Sequence, residues 1–297
     1  MNKQLNKENR KMAIQVTSGN AALLQSQVAD LLVQPLAQQS TFLAAGPRIF
    51  DTPNPLRIPR IASGVSAGFV GEGAQISDRS VSFDEIDLLP STLKSLKLLV
   101  RFSNEMVRQS VVPLNATLQS TLVTNVAQAL DAALYDGTGT SNTVKGIFQQ
   151  TGIATGTLEL TDADSLIDGL ATAQGNKVNP THWVMTSASF SALRKLKVGT
   201  DDKRYIFDPS TIQNGTAFRL LGLPVIITDN IPAVSTKARV ALVDFSLVAV
   251  ARDVDAEVKI LDQTWGDYDS VGIRVVTRYD VGLLHPQAVT VLTEVGS

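Results

Sequence analysis

The chain has 297 residues, 44% of them hydrophobic and 18% charged, with 26 basic against 28 acidic side chains and no cysteine. These proportions describe a globular chain with a real core and exclude disulfides, thiolate metal sites and cysteine nucleophiles; the net charge of -2 gives no global pull toward nucleic acid. No run of about 18 apolar residues occurs and the first twenty or so are polar and basic, so neither a membrane span nor a signal peptide is expected, and the chain reads as made in the cytoplasm.

Residues 1–19 carry Lys3, Lys7, Arg10 and Lys11 against Glu8, the composition of a solvated arm. Leu23, Leu24, Val28, Leu31 and Leu32 then recur at helical spacing and predict a helix ending before Pro35. A second short helix follows, with Pro35 suited to its first turn and Gly46 to its C-terminal stop. From Leu56 to Phe102 two strand-like arms flank a middle studded with Gly64, Gly68, Gly71 and Gly73. A two-stranded excursion is marginal alone in water, so its support is expected from outside itself, in a neighbouring copy. Opposite charges sit along it: Arg57, Arg60 and Arg79 against Glu72, Asp78, Asp84, Glu85 and Asp87.

Pro113 opens the clearest helix. Leu114, Leu118, Leu122, Val126, Leu130 and Leu134 recur at every fourth position up to Asp136-Gly137, a rod of about 33 Å at about 1.5 Å per residue. Its other face holds Asn115, Gln119, Thr124 and Gln128 with almost no charge, where a solvated helix face carries Lys and Glu; a protein contact is expected there. A helix over Ser165–Gln174 has acids in its first turn, where the helix dipole favours them. A strand from Trp183, a helix over Ser187–Leu196 with Ser187 as its cap, and a strand from Leu223 follow. Arg239–Phe245, Leu247–Ala251, Glu257–Leu261, Gly272–Asp280 and Ala288–Thr293 alternate with period two and read as separate strands. The class is α+β, without a regular βαβ winding.

No catalytic constellation emerges. His182 and His285 stand beside Trp183 and Pro286 at strand edges and read as structural. Asp253/Asp255 and Asp267/Asp269 lack the third carboxylate and glycine turn of a calcium loop. Gly71-Glu72-Gly73 and Gly137-Thr138-Gly139 are not followed by the Lys-Ser/Thr of a phosphate cradle. Arg194, Lys195, Lys197, Lys203 and Arg204 are interrupted by Asp201 and Asp202 and read as a solvated face. No cofactor or metal is expected.

Several segments together resemble a known family. They are Pro35-Leu-Ala-Gln-Gln-Ser with Leu56-Arg-Ile-Pro; Ala67-Gly-Phe-Val-Gly-Glu-Gly-Ala; Asp131-Ala-Ala-Leu-Tyr-Asp-Gly-Thr-Gly with Lys145-Gly-Ile-Phe; Trp183-Val-Met-Thr with Phe190, Leu193, Leu196 and Leu221-Gly-Leu-Pro-Val; and Arg274-Val-Val-Thr-Arg-Tyr-Asp with Pro286-Gln-Ala-Val-Thr-Val-Leu. Their order over residues 35–293 resembles the major capsid proteins of tailed phages, with the Hong Kong 97-like fold. The resemblance implies an N-terminal arm (1–46) and a peripheral domain (47–145 and 266–285) with an extended loop (56–91) and a spine helix (113–136). It also implies an axial domain (146–265 and 286–297).

It further implies hexamers and pentamers tiling an icosahedral shell around double-stranded DNA, held by interfaces above about 2,000 Å², in the virion after assembly in the host cytoplasm. Arg57, Arg60, Phe69, Glu72, Arg79, Asp84 and Glu85 become candidate intersubunit contacts. A portal and a separate scaffolding protein (or none) are the implied partners, since only 34 residues precede Pro35 where some members carry a fused scaffolding segment. Other members cross-link through a loop lysine, and none lies between Leu56 and Leu93 here, so contact without a covalent bond is expected. An encapsulin-like shell around a protein cargo shares the fold and is the alternative.

Overall fold

The computed structural model describes residues 40–63, 69, 82–89, 94–105, 114–140, 142–197, 205, 218–233 and 237–295; the predicted helix before Pro35 lies outside them. The chain divides into two units, one of Met1–Ser40, Ser95–Leu130 and Val254–Arg278, the other of Thr41–Lys94, Asp131–Asp253 and Tyr279–Ser297.

In the first unit β4 (Leu96–Ser103) pairs antiparallel with the start of β11 (Ser270–Leu283), Leu96 opposite Thr277 and Ser103 opposite Ser270. Strict alternation along β4 turns Leu96 and Leu98 inward and leaves Lys97, Leu99 and Arg101 in solvent. Onto that inner face packs α2 (Leu114–Asp136), through Val123, Val126 and Ala127 against Val275 and Ile273. The i, i+3, i+4 spacing makes this stripe. Its outward positions Thr121, Asn125, Gln128 and Ala129 carry no charge.

The second unit is built on a six-stranded sheet, ordered β5 (Ala154–Leu158), β12 (Val289–Glu294), β9 (Arg239–Val243), β6 (His182–Met185), β8 (Leu223–Ile227) and β7 (Arg219–Leu220). One face is covered by α3 (Asp164–Gly175) and α4 (Ser187–Arg194). Leu166 from α3 and Leu193 from α4, with Leu196 just beyond it, interdigitate with Trp183, Met185, Val240, Leu242 and Leu292. Trp183 is wholly buried and its indole N–H donates to the Leu220 carbonyl at 3.0 Å. Each such side chain contributes about 1.5–3 kcal/mol through removal of apolar surface from water.

A second, aromatic focus gathers Phe42 from α1 (Thr41–Ala44), Tyr135 near the end of α2, and Phe245. Phe42 meets Tyr135 edge-on with ring centroids 4.9 Å apart, a favoured geometry for aromatic pairs. Burial pushes the Tyr135 hydroxyl pKa well up. Asp131 on α2 is buried; it accepts the Thr41 N–H and hydroxyl, both at 2.8 Å, and so caps α1. Gly46 ends that segment at φ 82, as the glycine stop predicts. The helix begins at Thr41, however, after a non-helical Ser40, and Pro35, expected in its first turn, lies outside the described residues.

The α+β class is confirmed, and three local expectations are corrected. The cap of α4 is Thr186, whose hydroxyl accepts the Ser189 N–H at 3.3 Å. Ser187 instead donates its N–H and hydroxyl to Asp229, which holds that carboxyl below its ordinary value. The strands expected at Leu247–Ala251 and Glu257–Leu261 are one 18-residue strand, β10 (Val248–Trp265). Finally, β1 (Arg48–Asp51), parallel to β10, and β5 were not anticipated.

Candidate intersubunit interface

The charged arms are an antiparallel hairpin of β2 (Leu56–Ser63) and β3 (Ser82–Leu88), with the register shifting between Ile61 and Ser63. Period-two alternation gives it two chemically different faces. Leu56, Ile58, Ile86 and Leu88 face inward and pack on Ala249 and Ala251 of β10, with Leu89 and Leu284 beside them. Gly282 allows the close approach: a Cβ there would stand 2.8 Å from Ile86 and 2.9 Å from Leu88. The base of the hairpin is therefore supported by its own chain, which corrects the expectation that its support lies wholly in a neighbour.

The register sets Arg57 opposite Asp87 and Arg60 opposite Asp84. Arg57 reaches Asp87 at 3.2 Å and, diagonally, Glu85 at 3.4 Å. Arg60 grips Asp84 from Nε at 2.9 Å and from its terminal nitrogen at 2.5 Å, while its other arm donates to the Leu283 carbonyl at 3.5 Å. Four of the seven candidate residues thus come together within one subunit. Phe69 is fully exposed, and Glu72 and Arg79 lie outside the described residues. Exposed pairs of this kind add little stability singly.

The hydrogen bond from Arg60, then the Glu85 amide, then the charge of Arg60 hold the Asp84 carboxyl below 3.8. A folded pKa beneath the unfolded one means the pair's contribution is complete above the unfolded value and lost as pH falls through the folded one. Carbon-13 titration of Asp84 should give a midpoint under 3.8 that climbs back in Arg60→Gln. A midpoint indifferent to that substitution removes Arg60 as the cause.

Sequence reasoning missed two neighbouring features. Asp51 on β1 receives Arg252 of β10 at 2.6 Å and 3.0 Å, a pair 201 residues apart in the chain, and its carboxyl is lowered by that contact. Beside the hairpin base lies a cavity of about 380 Å³ lined by Leu88, Leu89, Lys94, Lys145, Gln150 and Asp280, among others. Burial raises the Asp280 pKa, opposed by the amides of Leu89 and Val281 and by Lys94. Lys94 donates to the carbonyls of Gly139 and Thr143, and Lys145 to the Thr151 hydroxyl. These polar groups are engaged in holding the chain to itself.

The histidines are engaged in the same way. His182 lies edge-on to Phe245 with its Nδ1 3.0 Å from the Thr181 hydroxyl, and burial lowers its pKa. His285 Nδ1 accepts the Gln287 N–H and caps a short turn. Among the described residues no cluster of acids and histidines could hold a metal ion.

The sequence pattern of the Phage capsid family matches residues 20–293. The chain belongs to the phage capsid family. It is thus similar to the major capsid protein of Klebsiella oxytoca phage phiKO2, with 24% identity over 98% of this chain and 72% of that one. Among solved structures, the capsid of the native GTA particle computed with C5 symmetry superposes with a TM-score of 0.70 at 19% identity, covering 86% of this chain and 91% of that one. A chain of Mycobacterium phage Bobi gives 0.67 at 17% identity, covering 87% and 91%. The fold is the Hong Kong 97-like capsid fold, and the protein is a structural subunit of the phage head.

Proposed function

We propose that this chain is the major shell subunit whose hexamers and pentamers close into an icosahedral head around double-stranded DNA. The observation that carries the reading is the family match over nearly the whole chain, joined to a hairpin that carries arginines on one strand opposite acids on the other. Residues 47–145 and 266–285 then act as the peripheral domain, with the loop 56–91 reaching to a neighbour and α2 as spine. Residues 146–265 and 286–297 act as the axial domain, and residues 1–46 as an arm. Arg57, Arg60, Phe69, Glu72, Arg79, Asp84 and Glu85 meet the adjacent subunit, the paired ones by exchanging partners across the boundary without a covalent bond. Assembly takes place in the host cytoplasm with a portal and a separate scaffold. The encapsulin-like alternative has no observation in its favour.

Electron microscopy of the purified protein tests the reading directly: closed hollow particles are expected, and strictly monomeric behaviour under all assembly conditions defeats it. Deleting residues 64–80 should leave subunits folded, because the hairpin base packs on β10, yet unable to close shells. Unfolding of the deleted subunit would instead assign the loop to the core.

A further inference from the structure

The six-stranded sheet segregates charge between its two ends. Its order places β5 at one edge and β7 at the other. At the β5 edge residues 146–176 carry Glu159, Asp162, Asp164 and Asp168 and no lysine or arginine. Ser165 ties the start of α3 to this edge, its hydroxyl donating to the Glu159 carbonyl at 3.2 Å and accepting the Glu159 N–H at 3.1 Å. Glu159, Asp164 and Asp168 are exposed. At the β7 edge the stretches 186–197 and 218–228 carry Arg194, Lys195, Lys197 and Arg219, and the one acid beside them, Asp229, is bonded to Ser187 at the opposite end of α4 from these cations. Arg194 stacks on Phe218, 5.6 Å from its ring, which brings the end of α4 beside Arg219. Since Leu166 and Leu193 pack into the same core cluster, both helices lie on one face, and the two charged ends flank it.

Each end also exposes apolar surface beside its charges. Ile167 is 51% exposed next to Asp168, and Leu221, in the left-handed region at φ 49 in the β7–β8 turn, is 39% exposed beside Arg219. Apolar groups rimmed by charge are the make-up of a protein interface. The outer edge of β5, Ala154-Thr155-Gly156-Thr157, has none of the lysine or proline that blunts solvent-facing edges. One end is acidic, the other basic, and a contact between unlike ends repeats from copy to copy, which is the heterologous geometry that closes into rings.

We infer that the β5–α3 edge of one subunit docks on the β7–α4 edge of the next copy, and that this contact, repeated, closes the five- and six-membered rings. The inference rests on the shell reading above and names the surface through which it works.

Charge reversal tests it. One variant carries Glu159→Lys, Asp164→Lys and Asp168→Lys; a second carries Lys195→Glu, Lys197→Glu and Arg219→Glu. Each alone should still melt cooperatively, slightly earlier than the parent because Asp164→Lys and Lys195→Glu oppose the helix dipoles, and should lose rings, with association weakened about a hundredfold by like-charge contact. All six changes in one chain should restore rings. An equimolar mixture of the two variants should form six-membered rings of three copies each and no five-membered ones, because an odd ring forces one like-charged contact; native mass spectrometry reads the count. If a reversed variant fails to fold, the neutral set Glu159→Gln, Asp164→Asn and Asp168→Asn replaces it, with association expected about tenfold weaker and less dependent on salt. Ring formation unaffected by the single-edge variants, which would assign these edges to another partner, overturns the inference. So does failure of both the six-fold variant and the mixture. A parent protein that forms no rings or shells defeats the shell reading itself, a separate outcome.

Discussion

Replacing Arg239 with Met is expected to destabilise the unassembled subunit by about 3–5 kcal/mol, the cost of leaving one member of a buried ion pair alone. Arg239 at the start of β9 and Asp136 at the end of α2 are 5% and 7% exposed. Their contact is a two-pronged fork, 2.9 Å from one guanidinium nitrogen and 2.6 Å from the other. The guanidinium also donates to the Pro232 carbonyl and lies over the Phe148 ring at 5.7 Å, while Gln149 donates to Asp136 at 2.9 Å. One pair thus pins a strand, a helix end and two loops. Asp136→Leu alone should cost as much. The double variant should cost far less than the sum, since no charge is then left buried. Urea unfolding of the three variants measures this, and strict additivity would show that the pair is not coupled.

Gly146→Ala should cost about 3 kcal/mol, the upper part of the usual range for overpacking. A Cβ at Gly146 would lie 2.5 Å from the Gly137 nitrogen, 2.6 Å from the Asp136 nitrogen and 2.6 Å from the Tyr135 carbonyl carbon. All three are backbone atoms, which cannot swing aside as a side chain does. The approach exists because the Gly146 N–H donates to the Gly137 carbonyl at 2.8 Å, closing the loop after α2. Gly175→Ala is the control: nothing lies within 4 Å of its Cβ position, and stability should hold or rise by about 0.5 kcal/mol. Equal urea midpoints for the two variants would mean that the loop reopens freely around the added methyl.

Periodicity made much of this fold legible. The leucine row predicted α2 to within a residue of its start, because a long amphipathic stripe has no competing reading. Strand β10 reads as two segments because Arg252-Asp253-Val254-Asp255 interrupts the apolar alternation; pairing with β1 on one side and its place beside β11 keep it extended. Strand β5 was hidden because Ala154-Thr155-Gly156-Thr157-Leu158 has weak strand character, and its parallel partner β12 supplies the order. At the hairpin the opposite charges were visible, but their partners were not. Whether Arg57 meets Asp87 of its own chain is decided by register, which a long intervening loop leaves unspecified in sequence. Arg239 and Asp136, 103 residues apart, carry no sequence signal of their pairing at all.

The outward face of α2 has a consequence for how a shell responds to its medium. The helix contains two acids, Asp131 and Asp136, and both are consumed inside the subunit, one capping α1 and one gripped by Arg239, while its one tyrosine, Tyr135, is buried. Thr121, Asn125, Gln128 and Ala129 therefore present a surface without a field. A contact made there through uncharged groups depends little on ionic strength or pH, whereas the contacts we propose through the hairpin and the sheet edges would weaken as counterions crowd in. A particle using both kinds of contact divides its cohesion into a part that a change of salt can loosen and a part that it cannot.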